Sequence, residues 1–295
     1  MKKTPIFTGS CTAIVTPYCE TGIDFPKMGE LIDFQAENGT SALVICGTTG
    51  ENATQNLDEH EELIQYCAKH NAGRMKLIAG IGSNDTMTAY RLGKAAGEAK
   101  YDGVLMVTPY YNKTTQAGLI QHFTYVADRV DVPMVLYNVP SRTGIGITAE
   151  TYKVLSEHPN INGAKEASGD FSLFSKTRYL CGDALNIWSG NDDNTVAMMA
   201  LGAKGVISVA SNIVPKAVAD MCDAALKGDF QTAQDIHMKY ANLFSTLFVE
   251  TNPIPVKTAM NLMGMNVGHL RLPLVDMQPG NLEKLKACLK ELDLI

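Results

Sequence analysis

Lys165 is the residue with the clearest chemical potential. It lies near the end of Ile161-Asn162-Gly163-Ala164-Lys165-Glu166-Ala167-Ser168-Gly169, a mostly small and apolar run short enough for a buried strand. Lysine is among the residues least often buried unless paired. A side chain snorkelling out of a strand mouth would account for one there. So would an amine nucleophile. At the ordinary lysine pKa of roughly 10.4, only about one amine in 2,500 is neutral at pH 7. Desolvation in an apolar pocket can lower a lysine pKa by roughly 3–5 units. A neutral amine attacks carbonyl carbons and forms a Schiff base.

The ends of the other apolar runs carry a matching set of groups. Ala42–Cys46 is followed by Gly47-Thr48-Thr49-Gly50-Glu51, two hydroxyls between glycines with backbone N–H groups free to receive a carboxylate. Val104–Val107 leads to Tyr110 and Tyr111, and Met134–Asn138 holds Tyr137, with Arg142 just beyond it in Pro140-Ser141-Arg142-Thr143-Gly144. Leu185–Trp188 leads into Ser189-Gly190-Asn191-Asp192, and Gly205–Val209 contains Ile207. Each feature has a plain reading taken alone: a turn, a packed aromatic pair, a surface arginine. Converging on one mouth, a lysine, phenols, hydroxyls and an arginine point to carbonyl chemistry on a carboxylate-bearing substrate.

The elements that position these groups alternate regularly. Strands are expected at Thr12–Pro17, Ala42–Cys46, Lys76–Gly80, Val104–Val107, Met134–Asn138, the Lys165 run, Leu185–Trp188 and Gly205–Val209. Helical spacing falls between them, at Phe25–Glu37, Asp58–Lys69, Thr86–Lys100, Gly118–Ala127, Thr148–Ser156, Asp170–Leu180, Asp192–Leu201 and Pro215–Leu226. Asn38-Gly39 closes the first helix as a C-cap, and Asp58 with Glu61 reads as the N-cap and box of the second. Near-continuous apolar strands argue a parallel sheet covered on both faces. Eight units are the closure number of an α/β (β/α)8 TIM barrel, which uses about 250 residues and acts at the C-terminal ends of its strands. A doubly wound open sheet would alternate similarly. Neither GxGxxG after the first strand nor GxxxxGK[ST] is present, which favours the barrel. It is assigned residues 1–228, and residues 229–295 a C-terminal helical subdomain with helices near Phe230–Glu250, Pro255–Met263 and Asn281–Leu292.

Composition narrows the function further. With 295 residues, 45% hydrophobic and 19% charged, the chain has ample core, and its net charge of −6 without a basic cluster argues against nucleic acid. No run approaches the roughly 18 apolar residues of a membrane span. Seven scattered cysteines without CxxC, and no leader-like start, read as reduced thiols in a cytoplasmic protein. The six histidines form no HExxH pair, so no metal is expected. There is no GxSxG elbow for an acyl-transfer serine. Asp192-Asp193 would disfavour a phosphate at the seventh helix and is read as that helix's cap. The 14 methionines read as core filler.

GTTGE at Gly47–Glu51, VTPYYN at Val107–Asn112, LYNVPSRTG at Leu136–Gly144, GAKEASG at Gly163–Gly169 and GVISV at Gly205–Val209, in order along essentially the whole chain, resemble the pyruvate-dependent class I aldolases. Within that group they resemble the dihydrodipicolinate synthase (4-hydroxy-tetrahydrodipicolinate synthase) family. The resemblance implies a lyase that condenses pyruvate with L-aspartate 4-semialdehyde to 4-hydroxy-tetrahydrodipicolinate, the first committed step of the diaminopimelate route to L-lysine, without a cofactor. It implies Lys165 as the Schiff-base nucleophile, Tyr137 as proton donor and acceptor, and Thr48 and Tyr111 as a proton relay, with Tyr111 supplied by a neighbouring subunit. Thr49 and the main chain of Ile207 would hold the pyruvate carboxylate, Gly190 would line the pocket, and Arg142 would bind the semialdehyde carboxylate. The assembly implied is a homotetramer, a dimer of dimers.

Arg142 and the GTTGE loop separate this chain from sialic acid lyases, which resemble it in fold and lysine but usually read GSTGE and lack the arginine. A retro-aldolase of 2-keto-sugar acids and a non-catalytic keto-acid sensor are the competing readings, and a complete proton relay speaks against the second. One departure stands out. Lysine-inhibited relatives carry an effector pocket that Ala53, His60, Asn84 and Tyr110 fit, but Leu57 replaces a histidine and Thr88 a glutamate that meets the effector's ammonium. Weak or absent inhibition by L-lysine is expected.

Overall fold

The structure is a computed structural model and describes residues 2–295. Eight parallel strands close into a barrel: β1 (Gly9–Ala13), β2 (Ala42–Ile45), β3 (Lys76–Gly80), β4 (Gly103–Val107), β5 (Met134–Asn138), β6 (Ile161–Glu166), β7 (Asn186–Ser189) and β8 (Gly205–Ser208). Each strand pairs with its sequence neighbours, and β8 returns to β1 through Gly9↔Gly205 to Thr12↔Ser208. The chain is therefore a TIM barrel. The first strand begins earlier than its apolar pattern indicates. Gly9 and Ser10 pair with β8, whereas Ile14–Pro17 carry the chain out over the barrel rim. Glycine and serine give no strand signal, but the ladder to β8 overrides their weak propensity, and pairing with β2 joins from Cys11.

The outer ring comprises α1 (Phe25–Glu37), α2 (Leu57–Asn71), α3 (Thr86–Glu98), α4 (Gln116–Ala127), α5 (Ala149–Ser156), α6 (Phe171–Cys181), α7 (Thr195–Ala200) and α8 (Pro215–Leu226). Asn38 caps α1 and Gly39 takes the left-handed φ of +80°. The N-cap of α2 is Asn56 rather than Asp58. Its side chain accepts from the Glu59 N–H at 2.9 Å while the Glu59 carboxylate accepts from the Asn56 N–H at 3.1 Å. A box two residues earlier satisfies the same spacing rule and contributes about 1 kcal/mol.

Strand alternation sorts side chains between two apolar layers. Cys11, Ala13, Ala42, Val44, Ile78, Leu105, Val135 and Ile207 fill the barrel interior with Phe7 and Trp188, whose rings stack with centroids 4.9 Å apart. Met134, Leu136 and Ala164 face outward into the larger layer beneath the helices. Beyond the barrel, α9 (Phe230–Thr246) packs along α8, and α11 (Pro279–Glu291) packs on α9 and α10 (Ile254–Leu262). Among the described residues no helix is long and apolar enough to cross a membrane.

Candidate active site

A cavity of about 510 Å³ is lined by side chains from the C-terminal strand ends together with the segment joining α9 to α10. Lys165 reaches it because the alternation along β6 turns Ala164 and Glu166 outward and Lys165 inward. Tyr137 is its partner in register on β5, so the two share one face of the sheet. Both are buried, and Lys165 Nζ lies 4.4 Å from the centre of the Tyr137 ring.

The outward neighbours hold this pair in place. Glu166 is buried and accepts both from Asn138 Nδ2, at 3.0 and 3.1 Å, and from the Tyr152 hydroxyl at 2.9 Å. It also receives the Ser168 N–H at 2.8 Å. Asn138 follows Tyr137 and Glu166 follows Lys165, so these bonds pin the two strand ends that carry the phenol and the amine. Gly190 supplies the space beside the lysine. A Cβ there would stand 2.6 Å from Ala167 Cβ and 3.1 Å from both Cε and Cγ of Lys165.

Thr48 and Thr49 sit on a tight loop in which Gly50 N–H bonds to the Gly47 carbonyl at 3.0 Å and Glu51 N–H to the Thr48 carbonyl at 3.1 Å. Glu51 takes the left-handed φ of +56°, and its side chain is entirely buried. One carboxylate oxygen accepts from Lys257 Nζ at 2.8 Å, the other from the Arg271 N–H at 2.9 Å. Lys257 also donates to the carbonyls of Thr16 at 3.1 Å and His269 at 2.5 Å, and burial lowers its pKa. The buried Lys257–Glu51 pair ties α10 to the loop bearing both threonines. Asn252, also in the cavity wall, donates from Nδ2 to Thr49 Oγ1 at 3.0 Å, and its carbonyl accepts from Arg142 Nη2 at 3.1 Å. Arg142 stands on a short helix, Pro140–Thr143.

Six of the expected residues therefore meet at one cavity: Lys165, Tyr137, Thr48, Thr49, Arg142 and Gly190. Two do not line it. Tyr111 points away, 91% exposed with φ +69°. The Ile207 side chain packs in the barrel interior, while its expected contact is through the main chain; Val209, two residues on, reaches the wall. The expectation that Asp192 caps the seventh helix is corrected. A 3-10 turn, Asp192–Asn194, precedes α7, and the buried Asp192 carboxylate receives the N–H groups of Val209 and Ala210 at 3.0 and 3.1 Å. It thereby fastens the β7 loop to the end of β8, and burial raises its pKa. Missed by sequence reasoning were Lys257 on α10, Asn252 and the other wall residues of the α9–α10 segment, none of which belongs to a strand-end motif.

A second cavity, of about 270 Å³, shares Thr48, Val139 and Arg142 with the first and is lined also by Ala53 and Tyr110. His60 is buried, donating to the Gly80 carbonyl at 2.8 Å, and burial lowers its pKa to about 4. Leu57 packs on the core, and the Thr88 hydroxyl is engaged with Asp85 at 2.7 Å.

The family model for the dihydrodipicolinate synthetase family matches residues 6–292. A 4-hydroxy-tetrahydrodipicolinate synthase from Thermoanaerobacter is 49% identical over 292 residues, covering 99% of this chain and 98% of the relative. The crystal structure of dihydrodipicolinate synthase from Aquifex aeolicus is 47% identical and superposes with a TM-score of 0.95 over 98% of this chain and 99% of that one. A dihydrodipicolinate synthase from Acinetobacter baumannii, solved in complex with pyruvate, is 41% identical with a TM-score of 0.95, covering 98% of this chain and all of that one. Fold, motif order and near-complete coverage agree: the chain belongs to the dihydrodipicolinate synthetase family.

Proposed function

We propose that this protein is a 4-hydroxy-tetrahydrodipicolinate synthase, a class I aldolase-type lyase that joins pyruvate to L-aspartate 4-semialdehyde. The observation carrying this reading is the buried amine of Lys165 held 4.4 Å over the Tyr137 ring, in a cavity that also presents Thr48, Thr49 and Arg142. Lys165 attacks the pyruvate ketone and water leaves, giving an imine. The protonated imine is an electron sink, so a methyl proton departs and an enamine forms. The enamine carbon attacks the aldehyde, and the substrate's amine then displaces Lys165 as the ring closes. Every step moves a proton, which suits the hydroxyls of Tyr137 and Thr48. Thr49 and the main chain of Ile207 receive the pyruvate carboxylate, and Arg142 pairs with that of the semialdehyde, where a guanidinium fork matches carboxylate geometry. Tyr111, exposed in the single chain, completes the relay from a second subunit in a dimer of dimers. The test is turnover of the purified protein with both substrates. Pyruvate release from a 2-keto-sugar acid, without condensation, would overturn the reading.

Two further expectations belong to this site. Gly190→Ala forces the lysine side chain to shift, and a misplacement of about 1 Å can cost on the order of 10²-fold. The variant should lower kcat by that order and melt a few degrees below the parent, because the 2.6 Å approach to the Ala167 Cβ cannot be relieved by a flexible side chain, as measured by steady-state rates and thermal melting. Leu57 and Thr88 provide neither the imidazole nor the carboxylate that an L-lysine effector would use. Inhibition should therefore be weak or absent, and an inhibition constant in the micromolar range would contradict this.

A further inference from the structure

The eight seams of the barrel are not equal. β8 matches β1 over four pairs, Gly9↔Gly205 to Thr12↔Ser208, but it matches β7 at one, Val206↔Ser189. The other seams carry three to five pairs. The thin seam opens onto the cavity, whose wall there is Gly190 and Asn191 on one side and Val209 on the other. Asp192 bridges it. Its Oδ2 accepts from the Val209 and Ala210 N–H groups at 3.0 and 3.1 Å, and the residue is only 2% exposed. Bonds from backbone N–H groups to an ionised carboxylate are roughly twice as strong as neutral ones. The carboxylate thus replaces the ladder that β7 and β8 lack at the mouth.

The two sides of this seam depend on Asp192 unequally. The Gly190 N–H donates to the Glu166 carbonyl at 2.8 Å, which ties it to β6, the strand carrying Lys165. Ser189 Oγ donates to the Asn191 carbonyl at 2.7 Å and accepts the Asn191 N–H at 3.2 Å, so the loop after β7 keeps its own shape. Beyond Ser208 the chain enters a 3-10 turn, Ala210–Asn212, whose N-cap, Val209, has no side-chain oxygen to offer. Asn212 holds the turn on the β1 side, donating to the Ala13 carbonyl at 2.9 Å and accepting the Val15 N–H at 3.1 Å. On the β7 side the Asp192 carboxylate holds it, as a cap supplied from another loop. We infer that Asp192 is a positioning residue for the keto-acid half of the site: by holding the Val209 and Ala210 N–H groups it sets where the main chain of Ile207 stands opposite Gly190 and Lys165. This rests on the reaction proposed above, in which that main chain receives the pyruvate carboxylate. It gives a residue behind the cavity wall control over one substrate and not the other.

The experiment compares the parent with Asp192→Asn and Asp192→Ala in steady-state kinetics, thermal melting and borohydride trapping over a range of pyruvate concentrations. Asp192→Asn keeps an accepting oxygen but not its charge, so the pyruvate KM should rise about threefold. Asp192→Ala leaves both N–H groups without an acceptor and should raise it about tenfold or more, the scale of lost hydrogen bonds to a charged group. The pyruvate concentration that half-saturates trapping should rise in parallel. The semialdehyde KM, and kcat at saturating pyruvate, should stay within about twofold of the parent's, since only ground-state binding of the keto acid is weakened. Should Asp192→Ala fail to fold, the split between the two KM values in Asp192→Asn decides the same question. A lowered Tm with both KM values unmoved, or an equal rise in the two, would overturn the assignment and leave Asp192 a clip for the fold. A parent that traps pyruvate but condenses no semialdehyde would sink the proposed reaction, and the inference would then stand or fall on the trapping curves alone. A parent never trapped would overturn both.

Discussion

Lys165→Ala should lose about 10³-fold or more in kcat, the scale expected when a covalent nucleophile is removed from an otherwise intact site. The loss should fall short of complete, because the cavity still binds both substrates beside the Tyr137 and Thr48 hydroxyls. Borohydride added with pyruvate should fix a covalent adduct in the parent and none in the variant, as read by intact-protein mass. The fold should survive, since the side chain faces a cavity rather than a packed layer and an alanine leaves no buried charge behind. An unchanged turnover would remove Lys165 from the mechanism. A parent that is active yet never trapped would remove the imine.

Lys257→Ala should produce the largest loss of stability. Glu51 would be left buried with its partner gone, and breaking a buried pair in this way costs about 3–5 kcal/mol. For a chain of this size that is a fall in Tm of roughly 10 °C. Activity should fall as well, because Glu51 closes the loop that presents Thr48 and Thr49. The double variant Lys257→Met with Glu51→Gln should recover part of the loss, since removing both charges is far less costly than stranding one. A single variant melting within a degree or two of the parent would show that Glu51 finds water or another cation, and that the pair is dispensable.

The two variants also mark what the sequence makes legible. Lys165, Tyr137, Arg142 and the two threonines all ride on strand–loop–helix units whose apolar periodicity is strong, so both the barrel and the cluster at its mouth follow from pattern and spacing. Lys257 gives no such signal. In its helical run it looks like any solvent-facing lysine, and its partner lies 206 residues away in sequence. Asn252 is hidden for the same reason, 203 residues from Thr49. Asp192 misleads because an acidic residue before a helix is ordinarily its cap. Only the closure of β8 against β7 brings the Val209 and Ala210 N–H groups to its carboxylate. Tyr111 is the reverse case: its place in the motif is plain, whereas one chain alone gives it nothing to touch.

The stacked pair of Phe7 and Trp188 closes the barrel from within, and Trp188 is the register partner of Lys165 on the next strand. Beneath the amine there is filled core rather than a passage. The cavity is then a well with a single rim, and occupancy becomes a matter of depth. In the proposed reaction pyruvate, the molecule Lys165 attacks, is then expected to bind first, with the semialdehyde following above it. The ring built from both must leave past Arg142 and Asn252 before another keto acid can go down. A well of this shape sets an order of addition, so that order is written into the floor of the barrel as much as into the chemistry at its mouth.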